Sequence, residues 1–255
     1  MSTATRHETA GPSSGPIPPL RHGDRLTMAE FERRFEAMPR LKKAELLDGV
    51  VYIPFSEEFL EGEGDVTMAS PVSYTEHSSP HFRLVHWLSL YWDETPGVLA
   101  GVDGTIRLDT VSMPQPDAFL FILPEHGGQA RIGEDGYLAG APDLAAEVAA
   151  STASYDLRAK LEVFRRNGVR EYVVWRTRDR ALDWFLLRDG RYERLAPGAD
   201  GLIRSEVFPG LWLDPAALIE GGRGRIGRAL RQGLASPEHA AFIETLRRAA
   251  VPEAP

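Results

Sequence analysis

Apolar residues fall along this chain in blocks whose spacing changes from one block to the next. Thr27-Met-Ala-Glu30 has the form of a capping box and predicts a helix running to about Ala37. The run Ala44-Glu-Leu-Leu-Asp-Gly-Val-Val-Tyr-Ile-Pro54 predicts a strand, with Asp48-Gly49 as a turn or bulge signal. Ser79 to Tyr91 has helical spacing, which puts Phe82, Val85, Leu88 and Trp92 on one side. Val98 to Leu108, Asp117 to Leu123 and Asp143 to Ala149 predict strands. Ala153 to Asn167 predicts a helix stopped by Asn167-Gly168, a usual left-handed end. Glu171 to Trp175 predicts a strand. Leu182 to Leu187 and Tyr192 to Leu195 flank Asp189-Gly190 and predict a hairpin. Phe208 to Pro215 leads into a short helix.

The strand at 143–149, the helix after it and the strand at 171–175 form a βαβ unit, and the hairpin adds antiparallel strands. The fold class is therefore α/β, a central mixed β-sheet flanked by helices. Residues 1–24, rich in Pro, Gly, Ser and Thr, predict a disordered N-terminal tail. Residues 25–220 make the folded domain, and 221–255 an Arg-rich helical C-terminal tail. The acidic segment Ser56 to Asp65 reads as a solvated loop, and Glu125 to Gly140 as a long surface excursion.

Composition narrows the function. The 255 residues include no cysteine, which excludes a disulfide scaffold, a cysteine zinc site, iron–sulfur ligation and a cysteine nucleophile. The N-terminus lacks the apolar core of a signal peptide, and no apolar run is long enough for a membrane span, so the expected location is cytoplasmic with no membrane partner. A net charge of −8 argues against a non-specific, chromatin-like binder. It leaves room for a nuclease, whose own centre is acidic.

The candidate chemistry lies in acids set among apolar residues. Glu147 stands inside Asp143-Leu-Ala-Ala-Glu-Val-Ala149, where an unpaired carboxylate is expensive and needs a partner or a cation. Glu45 heads an apolar strand, and Asp117 follows Pro116 into another. Three carboxylates meeting at one sheet edge would make an oxygen-ligand site for Mg²⁺ or Mn²⁺. Lys160 falls on the flank of the stripe Leu157, Leu161, Phe164, from which its stem can carry the ammonium over that edge. Asp156 lies one turn before it and can pair with it. The bland readings differ by residue. Asp117 is otherwise a strand-entry cap, Glu147 half of a buried ion pair, Lys160 a surface lysine, and Glu45 an exposed strand end. His77 and His81 are otherwise caps or rim groups. Arg158, Arg165, Arg166, Arg170, Arg176, Arg178 and Arg180 make the region around Lys160 basic, either to touch phosphates or as a solvated face.

Pro116-Asp117, the block Gly140-Ala-Pro-Asp-Leu-Ala-Ala-Glu-Val-Ala-Ala-Ser-Thr-Ala-Ser-Tyr-Asp-Leu-Arg-Ala-Lys160 and Phe164-Arg-Arg-Asn-Gly-Val-Arg-Glu-Tyr-Val-Val-Trp175 together resemble the Uma-two (Uma2) family. These are bacterial restriction-endonuclease-like proteins of the PD-(D/E)XK nuclease superfamily. Glu45-Leu-Leu-Asp-Gly49 and Pro71 followed by His77 resemble the family's earlier motifs. The resemblance spans about Leu26 to Leu218. It implies a restriction-endonuclease-like core and a Mg²⁺- or Mn²⁺-dependent endonuclease acting on DNA. Asp117, Glu147 and Glu45 would be metal ligands, Lys160 the catalytic ammonium, and His77 and Asp156 accessory groups. One departure matters: the superfamily's (D/E)-x-Lys triplet is Glu147-Val148-Ala149 here, and the resemblance suggests that Lys160 supplies the missing ammonium. Dimerisation, common in the superfamily, would let two sites cut two strands. The competing expectation is a catalytically inactive nuclease fold serving as a binding or interaction module.

Overall fold

The computed structural model describes residues 16–53, 72–150, 152–222 and 224–250. The expectations for 1–15, the acidic 56–65 segment, Pro71, Ser151 and Arg223 lie outside the described residues. In chain order come α1 (Met28–Glu36), β1 (Glu45–Leu47), β2 (Val50–Tyr52), a π-helical turn (Tyr74–Ser78) and α2 (Ser79–Asp93). Then follow β3 (Val98–Val102), β4 (Ile106–Arg107), β5 (Ala118–Ile122), β6 (Arg131–Ile132), β7 (Leu138–Ala139) and β8 (Leu144–Ala149). Next are α3 (Ala153–Tyr155), a second π-helical turn (Asp156–Lys160), α4 (Leu161–Arg166), β9 (Glu171–Arg176), β10 (Ala181–Arg188) and β11 (Arg191–Arg194). The chain ends with β12 (Ile203–Arg204), β13 (Trp212–Leu213), α5 (Pro215–Glu220), α6 (Arg225–Leu234) and α7 (Pro237–Ala249).

Six strands form the central sheet in the order β11-β10-β9-β8-β5-β3. β8 and β9 run parallel, joined by the helical crossover between them, and the other neighbours are antiparallel. This is the mixed α/β sheet that the sequence predicts. The two parallel strands are covered on both faces, which is why they read as nearly continuous apolar runs. Leu144, Ala146, Val148, Val173 and Trp175 pack on one face with Leu84, Trp87, Leu218 and Leu230. Ala145, Ala149, Tyr172 and Val174 pack on the other against Phe164 of α4. The two-residue period therefore assigns Glu147 to the face beneath the α3–α4 crossover.

Several local expectations are corrected. The run at 44–54 is a hairpin, β1 paired with β2, because Asp48 (φ 51°) and Gly49 (φ 73°) both take the left-handed conformation a two-residue turn needs. On α2 the buried stripe is Leu84, Trp87, Leu88 and Tyr91, while Phe82 is 74% exposed. The two stripes share Leu88, and Val85 of the predicted one packs at the margin of the core, so the buried face is turned relative to the predicted one. The stretch at 125–140 contributes β6 and β7, which join β4 in a small sheet over Phe119 and Phe121, with Ala130 and Leu138 buried. The C-terminal segment is no peripheral tail: Ile226, Leu230 and Leu246 enter the main core, and buried His239 stands 3.0 Å from Thr95 Oγ1 at the end of α2. Its described arginines, from Arg225 to Arg248, lie on the outer side of helices whose inner side is apolar. Leu20, assigned by sequence to the disordered tail, is fully buried, and the Gly23 amide donates to the Val51 carbonyl. No described helix is long and apolar enough to cross a membrane.

Candidate active site

Antiparallel pairing of β5 with β8 matches Ala118 to Ala146, so Asp117, one residue before β5, comes opposite Glu147. The Val148 amide donates to Asp117 Oδ2 at 2.8 Å. Glu147 is 3% exposed, and its Oε1 accepts from Lys160 Nζ at 2.6 Å. The same ammonium lies 2.8 Å from Glu45 Oε1. Glu45 is the first residue of β1 and is buried, not an exposed strand end. The Gln115 amide donates to its Oε1 at 2.5 Å, and the Tyr155 hydroxyl to its Oε2 at 3.1 Å. Two strands far apart in sequence, β1 and β8, thus meet on one lysine.

Lys160 reaches this point through local backbone geometry. Asp156 to Lys160 form a π-helical turn, a single wide turn of the kind often found at functional sites. A wheel drawn at ordinary helical pitch puts Lys160 on the helix flank; the wider turn carries it inward, to 2% exposure. Its ion pairs are with Glu45 and Glu147, not with Asp156 as the sequence suggests. Asp156 is buried beside them and acts on the site through its charge. The Tyr155 ring lies 5.8 Å from the ammonium and 4.6 Å from the Tyr52 ring, forming an aromatic lip.

The other π-helical turn, Tyr74 to Ser78, brings in the histidines. His77 Nδ1 donates to the Val148 carbonyl at 3.2 Å, and His81 Nε2 to the Asp117 carbonyl at 2.9 Å. Both brace the backbone beside the acids and do not touch the carboxylates. Lys43 is the residue that sequence reasoning missed: its Nζ lies 3.0 Å from Asp117 Oδ1. Its position two residues before Glu45, on the same side of an extended segment, was the available signal.

Burial and charge oppose each other throughout the site. Burial lifts the Glu147 carboxyl well above its ordinary value, against the pull of Lys160, and Asp117 and Asp156 add to the lift. Burial disfavours the Lys160 charge, yet Glu147, Glu45 and Asp156 hold the ammonium above its ordinary range. Burial also works against the Asp117 charge, but Lys43 and the Val148 amide keep that carboxyl low. Asp156, pushed by burial against Lys160 and Thr152, rises to about 6. At the site four buried carboxyls, Glu45, Asp117, Glu147 and Asp156, thus face two ammonium groups, Lys43 and Lys160, and burial opposes ionisation of Glu147 and Asp156 most strongly.

Carboxylate oxygens are the kind of hard donor that Mg²⁺ or Mn²⁺ takes. Lysines hold the acids together: no three Asp, Glu or His side chains among the described residues form an open cation cage. The basic region around the site is largely paired internally. Arg165 pairs with Glu162, Arg166 with Asp48, Arg176 with Asp183 and Arg178 with Glu76, which favours a solvated face.

A crystal structure of a "putative nuclease belonging to DUF820" from Anabaena variabilis is similar in fold, with a TM-score of 0.50. The match is 14% identical and covers 74% of this chain and 96% of that one. No curated protein matches. The profile of the Uma2 family, described as "Putative restriction endonuclease", matches residues 28–216, a stretch that holds every acid and lysine of the site. On that match the chain belongs to the Uma2 family.

Proposed function

We propose that the protein is a metal-dependent nuclease that hydrolyses phosphodiester bonds in DNA. The observation that carries this reading is the convergence of Glu45 and Glu147 on Lys160, with Asp117 directly across from Glu147. An inactive relic would have no need to bury so much opposed charge, since a well-packed apolar cluster is at least as stable. Ala149 leaves the usual lysine position of the strand without an ammonium, and Lys160 offers one from the crossover helix instead.

Asp117, Glu147 and Glu45 would hold the cation. Mg²⁺ or Mn²⁺, when bound, supplies Lewis acidity and neutralises charge on the phosphate. Lys160, tied to both glutamates, keeps their oxygens in position and carries positive charge to the place where phosphate charge builds up. His77 and His81 fix the backbone at Val148 and Asp117, which aligns the two acids. In the overall reaction water adds to phosphorus, the P–O ester bond breaks, and one proton ends on the leaving oxygen.

The test is cleavage of supercoiled plasmid and of single-stranded DNA with Mg²⁺, Mn²⁺ or EDTA, for wild type and Glu147→Ala. Cutting that needs metal and disappears in the variant supports the reading. Cutting that survives in Glu147→Ala or in EDTA overturns it.

A further inference from the structure

Lys43 and Lys160 are unlike each other. Lys160 is locked between two carboxylates at 2% exposure, whereas the Lys43 side chain is 33% exposed and meets one acid, Asp117. Asp117 Oδ2 is held by the Val148 amide, which leaves Oδ1 as the oxygen available to another partner, and Lys43 covers it. A divalent cation and an ammonium cannot share that oxygen without strong repulsion. A lysine on a partly exposed four-carbon stem can swing away, and a phosphate oxyanion is an equivalent partner for it.

We propose that Lys43 is a resident counter-ion of Asp117 which a divalent cation must displace, and which the phosphate of the nucleic acid then receives. This rests on the metal-dependent reading above. Its consequence is coupling: metal frees Lys43 for phosphate, and phosphate draws Lys43 off the metal ligand, so each promotes binding of the other. Without nucleic acid the protein holds metal weakly. Lys43 is then a positioning residue that links cofactor occupancy to the presence of substrate.

The experiment measures Mn²⁺ affinity by isothermal titration of the full chain for wild type, Lys43→Met and Lys43→Arg, without nucleic acid. It also measures binding of a short DNA oligonucleotide with and without Ca²⁺. Lys43→Met should bind Mn²⁺ about tenfold more tightly than wild type, with Lys43→Arg close to wild type. Ca²⁺ should tighten DNA binding about fivefold in wild type and hardly at all in Lys43→Met. Should Lys43→Met melt early, Lys43→Gln carries the same comparison. Unchanged or weaker Mn²⁺ binding in the methionine variant, with wild type binding the ion, overturns the proposal and leaves the nuclease reading intact. Failure of every folded variant and of wild type to bind Mn²⁺ overturns both.

Discussion

Glu147 and Glu171 are buried glutamates on adjacent parallel strands, yet their surroundings have little in common. β8 and β9 align Leu144 with Glu171 and Glu147 with Val174, so the two acids stand three positions apart along the strand pair and on opposite faces. Glu171 accepts from the Ser205 hydroxyl, the Glu206 and Val207 amides and the Trp184 indole. Each of those donors is neutral and fixed by the fold, so Glu171 joins β9 to the turn at 205–207. Glu147 meets an ammonium and lies among other acids. A buried acid is therefore not in itself the mark of a site. What distinguishes the two is the kind of partner: fixed neutral donors make a joint, while a cation is a partner that another cation can replace.

Activity should separate the two acids most strongly. Glu147→Ala should lower plasmid cleavage by about 10³-fold or more, whereas Glu171→Gln should stay within about threefold of wild type. Equal losses in initial-rate assays would erase the distinction. Next comes Lys160→Met, which leaves Glu45 and Glu147 facing each other without their cation. Denaturant titration should show a loss of about 3–5 kcal/mol. Mn²⁺ should restore more stability to this variant than it adds to wild type, because the acids then lack their internal counter-charge. No metal effect on either protein would argue against the acids as ligands.

The pH dependence of Glu171 sharpens the contrast from the structural side. Burial, moderated by the four donors, raises its carboxyl from 4.5 to about 7. The native state thus keeps a proton that the unfolded chain releases above pH 4.5. This contribution is complete below pH 4.5 and is lost as the pH rises through 7. Over that window wild type should lose about 2–3 kcal/mol relative to Glu171→Gln, read from melts at each pH. Parallel profiles would mean that the four donors hold Glu171 ionised. The smallest effect belongs to α2. Phe82→Ala, on the exposed side, should change stability by less than about 0.5 kcal/mol, against about 3–5 kcal/mol for Trp87→Ala, whose ring is buried.

Much of this was legible in the residues. The strands at 118–122, 144–149 and 171–176, the crossover helix and the hairpin after Arg180 follow from apolar period and turn chemistry. Glu147 was conspicuous as a charge inside an apolar strand, and the departure at Ala149 directed attention to Lys160. Other features had no local signal. The choice between two helical stripes on α2 depended on which one the sheet could cover. The burial of the C-terminal helices depended on an apolar surface built by α2 and α5. Glu171 opens an apolar strand much as Glu45 does, but three of the four donors of its joint come from residues more than thirty positions later.

The sequence by itself determined the periods, the turns and the short list of chemically costly residues, because each is a property of neighbouring positions. Only the tertiary structure decided how those residues are paired. Lys160 sits between Glu45 and Glu147 because a π-helical turn shifts it inward. Asp117 meets Lys43 because β1 is bridged to the segment just before β5, through Leu46 with Met113 and Glu45 with the Gln115 amide. Electrostatic partnership depends on distance and burial, and those are set when the sheet assembles and water is excluded, not by spacing along the chain.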